Sequence, residues 1–518
     1  MSGGRDGAST RPQPAGLARE RPSSGRSEDG VVALVLHSHM PYVEGFGTWP
    51  FGEEWLWEAV ATVYLPLLDL LDGAPVTLGL TPVLCDQLET LTGAAGDRLL
   101  AFLRGTRAPI HAEDAIGLER GGEGAAAREV RRAAGDYVAA ERAFERLAGD
   151  VLGAVRRLEG PELITSAATH AILPLLATGG GKRLQVEAGI AAHELRFGRR
   201  PGVFWLPECA YEPGLEAVLG EQDVRAFCVD QTDALGLGAP EHLEPVATPA
   251  GPTAVPIDWS TVRLVWDERS GYPAGPRYRN YHGRTIHDLK PWENAGGAYD
   301  EAAARRAAAR DARDFLRRAA SRLGRYRAER GRPGLLCCPL DTELLGHWWY
   351  EGQAWLATVL AEAPALGIEL LPLSRALERV EPVGDRELAA SSWGVPKDLT
   401  TWDSPRVADL AVEARRGELA VVAASRAALG ARGGVGLDGD GDAGLARATR
   451  ELLALQSSDW AFQITRELAA EYPVERARGH ARELHAALAA AMADSGAEPD
   501  SRVRNLAPEL DLRPLLAP

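Results

Sequence analysis

Short apolar runs recur along this chain, each followed by a polar residue and each separated from the next by a longer stretch. The first, VVALVLH (31–37), is rich in β-branched residues and too short for a buried helix. It reads as a strand enclosed on both faces. Similar runs lie at 76–80, 163–165, 203–206, 226–229, 335–338 and 368–371. Between them, residues 53–72, 125–158 and 300–330 carry apolar positions at helical spacing. Strands alternating with helices predict an α/β fold: a parallel sheet with helices outside it, as a barrel or an open sheet.

The polar residues after these runs favour the barrel. His37 and His39 close the first run, and Thr81 follows the second. Ser166 and His170, then Glu208, then Asp230 and Gln231, then Asp341 follow the next four. Barrel sites are built from the C-terminal ends of many strands, whereas an open sheet gathers its site at one switch point. After about residue 385 the strand signals fade. Ser404 and Pro405 read as a helix opening, 443–455 and 474–494 as helices, and Gly430–Gly444 as a Gly/Asp-rich loop. The expected organisation is a disordered tail over 1–29, a barrel with helical insertions over 30–385, and a helical domain over 386–518 that contributes to the cleft.

With 518 residues, 45% of them hydrophobic, the chain can bury a sizeable core. A formal net charge of -16 argues against nucleic acid and anionic membranes and suits a neutral substrate. Five cysteines without a CxxC pattern read as buried free thiols rather than a disulfide framework or zinc ribbon. No apolar run approaches the roughly 18 residues of a membrane helix. The N-terminal stretch lacks the apolar middle of a signal peptide, so the cytoplasm is the expected compartment.

Tryptophan, at 13, outnumbers tyrosine at 11 and phenylalanine at 9. Trp49, Trp55, Trp205, Trp348, Trp349, Trp393, Trp402 and Trp460 lie beside polar, loop-like sequence. An indole presents a flat apolar face with a polar edge, which suits a sugar ring as well as it suits a core. Two of these aromatic stretches carry a carboxylate. In PGVFWLPECAYEPGLE (201–216), a strand delivers Trp205 and then Glu208. In LLCCPLDTELLGHWWYEG (335–352), a strand ends in Asp341, with His347, Trp348, Trp349 and Tyr350 close behind. Asp341 also fits a cap on a helix beginning near Thr342. Two carboxylates on one barrel face in a Trp-rich cleft match glycosidic-bond chemistry, and a retaining outcome needs them about 5–5.5 Å apart.

His37 and His39, two apart on a strand, face the same side. His-x-His is also a metal pattern, with His111, Glu113, His170 or Glu208 as third ligand. The other reading is a histidine pair that orients substrate hydroxyls.

HSHMPYV, SAATH (166–170), WLPECAY (205–211), DTELLGHWWYEG (341–352), SSWG (391–394) and SSDW (457–460) together resemble glycoside hydrolase family 57, in consistent order over about residues 31–480. Within it the pattern is similar to the 1,4-α-glucan branching enzymes, and to their actinobacterial group in particular. The resemblance implies an incomplete (β/α)7 barrel followed by a helical C-terminal domain, and retaining double displacement on an α-1,4-glucan or maltooligosaccharide. It implies no metal and no cofactor. It places the nucleophile on Glu208 and the acid/base on Asp341. The substrate-contacting pair then resembles Trp393 and Trp402, with Arg279 and Asp459 alongside. His37 and His39 would line the subsite of the attacked sugar; His170, Trp205, His347 and Trp348 complete the expected binding residues.

Two departures from that pattern stand out. Branching enzymes of the family carry a mobile loop, tipped by a Tyr that shields the intermediate from water. Residues 212–271 here contain no Tyr, and the stretch around GLGAPEHLEPVATPAGP (236–252) is short. Transfer depends on excluding water, so hydrolysis (amylase-like) and α-1,4 transfer (4-α-glucanotransferase) stay open beside branching. The segment after Trp393, GVPKDLTTWDSPRVAD, also lacks the relatives' aromatic tail. A metal-dependent carbohydrate hydrolase built on His37 and His39, and a glucan-binding protein without turnover, are the readings from other classes.

Overall fold

The structure is a computed structural model, and it describes residues 28–48, 51–384, 386–431, 443–493, 501–503 and 505–516. Most of the expected N-terminal tail, Trp49 and most of the Gly430–Gly444 loop lie outside the described residues.

Among the described residues, nine strands form one sheet: β1 (Gly30–Ser38), β2 (Thr77–Leu80), β3 (Glu162–Ser166), β4 (Val203–Trp205), β5 (Ala226–Val229), β6 (Val246–Ala247), β7 (Thr253–Pro256), β8 (Gly334–Asp341) and β9 (Glu369–Leu370). The order is β6-β7-β5-β4-β3-β2-β1-β8, with β9 beside β1. Only β6 runs antiparallel. The sheet curls until its two ends touch in one parallel bridge, Ile257 to Cys337. That single contact, in place of a full ladder between β7 and β8, makes the barrel incomplete.

β1 is buried along its whole length, as a strand covered on both faces must be. Its register with β8 runs from Gly30 opposite Gly334 to His37 opposite Asp341. At the lower end the backbones approach so closely that a Cβ on Gly30, at φ +143°, would lie 2.1 Å from the Gly334 carbonyl oxygen. The expected runs became β1 to β5, β8 and β9. β6 and β7 match no expected run, because Pro249, Gly251 and Pro252 between them read as loop.

Residues 125–158 and 300–330 became the helices Gly124–Arg146, Val151–Arg156 and Glu301–Arg330. The C-terminal part contains the helices Ala408–Ala431, Ala443–Leu455, Ser458–Arg466 and Tyr472–Met492. The first starts later than the Ser404–Pro405 signal; those residues form a turn in which the Val407 N–H donates to the Ser404 carbonyl. These helices share a core with the barrel: Val421, Leu452 and Leu484 pack in one cluster with Tyr42, Val83 and Leu184. Buried Glu418 ties the two parts, accepting from the backbone N–H groups of Ala177 and Thr178 and from Gln456. The five cysteines are free and buried. Among the described residues, no helix is long and apolar enough to cross a membrane.

Candidate active site

The C-terminal ends of β1, β3, β4 and β8 deliver His37 and His39, His170, Glu208 and Asp341 to one end of the barrel. In a parallel ladder, partners in register share a face, so His37 and Asp341 stand side by side. The His37 ring lies 4.8 Å from that of Trp205 and 4.8 Å from that of His170, and its Nε2 is 2.9 Å from His170 Nε2. His170 Nδ1 meets the Ser458 hydroxyl at 2.9 Å, which brings the C-terminal helices to the wall.

Glu208 follows β4 in a left-handed conformation, φ +59° and ψ +22°, and Cys209 after it also has φ +50°. His170 has φ +58°. Such backbone costs of order 1–3 kcal/mol per residue and gathers where geometry matters for function. Trp393 secures the result from a loop next to Ser391, which bridges to Tyr211. Its backbone N–H donates to the Glu208 carbonyl at 2.8 Å and its indole N–H to Glu208 Oε2 at 2.7 Å. Glu208 Oε1 lies 3.8 Å from His170 Nδ1.

Asp341 does not cap the short helical turn Thr342–Leu344: its side chain makes no capping hydrogen bond, and its buried Oδ1 has no partner. Burial pushes its carboxyl up from 3.8 to about 7, His39 pulls it down, and Glu343 and Asp459 push it up. Glu208 is likewise pushed up from 4.5 to about 7 by burial, with His39 and the Trp393 hydrogen bond opposing and Asp341 and Asp459 adding. The indole bond favours the charged form of Glu208, whereas Asp341 has no such donor.

The three imidazoles differ in the same way. Burial alone would lower His39, but Asp459, 3.4 Å from its Nε2, together with Asp341 and Glu343, raises it to about 10. His37 and His170 are held well below 6.5 by burial and by the charge on His39. One cation thus faces the carboxylates, flanked by two neutral rings. The ligand atoms of His37, His39 and His170 lie within 4.8 Å of one another, so these residues could hold a metal ion. Nitrogens on a tetrahedral zinc, at about 2.0–2.1 Å from it, stand further apart than the 2.9 Å between His37 and His170. That pair is spaced for a hydrogen bond.

The remaining expected residues divide. Trp205 is wholly buried, stacked on His37 and edge-on to Trp393 at 5.1 Å. Trp266 continues outward, 6.5 Å from Trp393 and 5.8 Å from Trp348, and both Trp266 and Trp348 are exposed. His347 sits near Trp348 and Tyr281, at the outer end of this aromatic path. Trp266 is not among the expected residues; its signal in the sequence is a tryptophan just before the Gly271-Tyr272-Pro273 turn. Two of the expected residues have other partners. Arg279 is engaged elsewhere, in a buried ion pair with Glu129 and between the rings of Tyr299 and Tyr350. Trp402 is 3% exposed and packs with Ile172, Ala210 and Val407, so it supports Gly394 and its loop rather than facing the cleft. His111 and Glu113, considered as ligands, stand apart from the trio: His111 Nδ1 meets the Arg107 carbonyl, and Glu113 faces His287.

Residues 140–385 match the family model described as glycosyl hydrolase family 57, and 438–511 match that of the 1,4-alpha-glucan branching enzyme C-terminal region. A probable 1,4-alpha-glucan branching enzyme of Mycobacterium tuberculosis is 33% identical, over 94% of this chain and 98% of its own length. The 1,4-alpha-glucan branching enzyme of Thermococcus kodakarensis is 31% identical, over 88% and 73%. The crystal structure of a GH57-type branching enzyme from Pyrococcus horikoshii superposes with a TM-score of 0.85 at 30% identity, covering 94% of this chain and 97% of that one.

Proposed function

Since the chain belongs to glycosyl hydrolase family 57, we propose that it is a 1,4-α-glucan branching enzyme whose retaining double displacement runs on Glu208 and Asp341. The observation that carries this reading is the asymmetry of the two buried carboxyls: Glu208 holds an indole hydrogen bond and Asp341 Oδ1 holds none.

Glu208 attacks the anomeric carbon of an α-1,4 bond, while Asp341 gives its proton to the departing oxygen. A covalent glycosyl-enzyme results, and Asp341 is left ionised. Asp341 then takes a proton from the 6-hydroxyl of an acceptor glucan, whose oxygen attacks the anomeric carbon and frees Glu208. The His39 cation, close to both carboxylates, offsets negative charge through the cycle. No step draws on a metal or cofactor.

Glu208→Gln and Asp341→Asn each abolish action on amylose while the fold survives; wild-type rates in either would overturn the assignment. Hydrolysis and α-1,4 transfer share the first half-reaction. One observation favours them: the stretch that carries the tyrosine-tipped lid in relatives is here drawn partly into β6 and β7. Proton NMR of the products from amylose separates the outcomes, because branching alone creates new α-1,6 anomeric signals.

A further inference from the structure

Lys397 lies in the segment after Trp393, one of the two departures from the family pattern, and its side chain is drawn inward. Its Nζ donates to Asp230 Oδ2 at 2.8 Å and to the Trp393 carbonyl at 2.8 Å. It also stands 3.0 Å over the ring of Trp259. Asp230, at the end of β5, is 1% exposed, and its other oxygen accepts from the Thr232 N–H at 2.8 Å. The Lys397 backbone has φ +83°, a cost for a residue with a Cβ. Its N–H donates to the Gly394 carbonyl, and its own carbonyl accepts from Ser392 at 3.2 Å. Residues 392–397 therefore close on themselves around one cation, and that cation is anchored to the barrel.

What the loop presents is the Trp393 indole on Glu208. We propose that the Asp230–Lys397 ion pair is a positioning device that fixes the Trp393 loop against β5, so that the indole N–H stays on Glu208 and keeps that carboxylate ionised for attack. This rests on the reading of Glu208 as nucleophile. The strand before Glu208 and the strand before Asp230 are hydrogen-bonded neighbours, so the clamp and its target share one rigid frame. Lys397 touches no reacting atom; its effect passes through Trp393. Freed from the clamp, the indole would have a loop's mobility, and the ionised carboxylate would lose its donor.

The groups facing Glu208 are His170, His39, Asp341, Asp459 and Trp393. Those facing Lys397 are Asp230 and Cys209. In Lys397→Met all the groups around Glu208 are kept and only the indole contact is loosened. The acidic limb of the pH profile of kcat/KM on amylose then moves upward by several tenths of a unit to one unit. kcat falls tenfold or more, with KM changed less than threefold. Lys397→Arg, which keeps the charge, returns the limb to the wild-type position. Asp230→Asn, which leaves the amine partly unpaired, gives the same shift as Lys397→Met.

A second readout needs no turnover. With 15N-labelled tryptophan, the indole resonance of Trp393, assigned by its loss in Trp393→Phe, lies downfield and titrates with Glu208 in the wild type. In Lys397→Met it moves upfield. If Glu208→Gln kept full activity, the nucleophile reading would fail while this resonance still tested the clamp. An unmoved acidic limb together with an unmoved resonance in a folded Lys397→Met protein overturns the proposal. Lost thermal stability with both readouts unmoved does the same, by reducing the pair to a structural role.

Discussion

Trp393 holds Glu208 twice, its backbone N–H on the carbonyl at 2.8 Å and its indole N–H on Oε2 at 2.7 Å. Residue 393 thereby fixes both the left-handed backbone of residue 208 and the direction of its carboxylate. Asp341, across the site, has a buried oxygen with no donor at all. Unequal hydrogen bonding is a direct way to separate the roles of two carboxyls in one site.

The alkaline limb of kcat/KM is expected to report Asp341, which must be protonated for the first step. Glu343 sits two residues on, fully buried, its one oxygen bound by the Tyr64 hydroxyl and the other without a partner. Its charge is among the causes that raise Asp341. Glu343→Gln removes that charge, so Asp341 loses its proton at lower pH and the alkaline limb moves down. A pH–rate profile checks this, and an upward shift would contradict it.

Stability should run against function at Glu208. Its carboxyl is held above its ordinary value of 4.5, at about 7, chiefly by burial. The folded state thus keeps a proton that the unfolded chain gives up. Stability from this group is present below about pH 4.5 and lost as pH rises toward 7, at most ~3 kcal/mol. Glu208→Gln, which never ionises, is expected to unfold at a higher temperature than wild type at pH 8, with the difference shrinking toward pH 4. Thermal unfolding across that range measures it.

Trp266 and Trp348 meet edge to face at 5.8 Å on the surface beside Trp393. Loss of one exposed aromatic contact is worth about 0.5–1.5 kcal/mol. Trp266→Ala and Trp348→Ala should each raise KM for amylose roughly threefold to tenfold, with a smaller effect on kcat. Steady-state kinetics on amylose decides, and unchanged KM in both variants removes this surface from the binding path.

Glu418 joins the C-terminal helices to the loop before the helix Gly179–Phe197. Glu418→Ala strands two backbone N–H groups and Gln456 inside the protein. A loss of about 2–4 kcal/mol is expected. The midpoint of urea unfolding measures it, and a change below ~0.5 kcal/mol would show that water replaces the carboxylate.

Much of the architecture was legible because a strand buried on both faces is written as an unbroken apolar run. VVALVLH and LLCCPLD became β1 and β8, lying in register. β6 and β7 were not legible, since Pro249, Gly251 and Pro252 between them are the residues of a loop. Glu208 and Asp341 stood out by their place after strands and their aromatic company. The partners of Arg279 and Trp402 were not legible: an arginine paired with Glu129 and one free of it are written alike, as are a buried and an exposed tryptophan.

The sequence by itself determined which residue types end each strand, and hence that acids, imidazoles and indoles share one face. Only the tertiary structure decided what each became. His39 is a cation because Asp459, 420 positions away in the chain, packs against it. Its neighbours His37 and His170 are neutral first because they are buried and then because that charge stands beside them. Protonation and aim depend on burial and on partners from distant segments, and folding alone sets those.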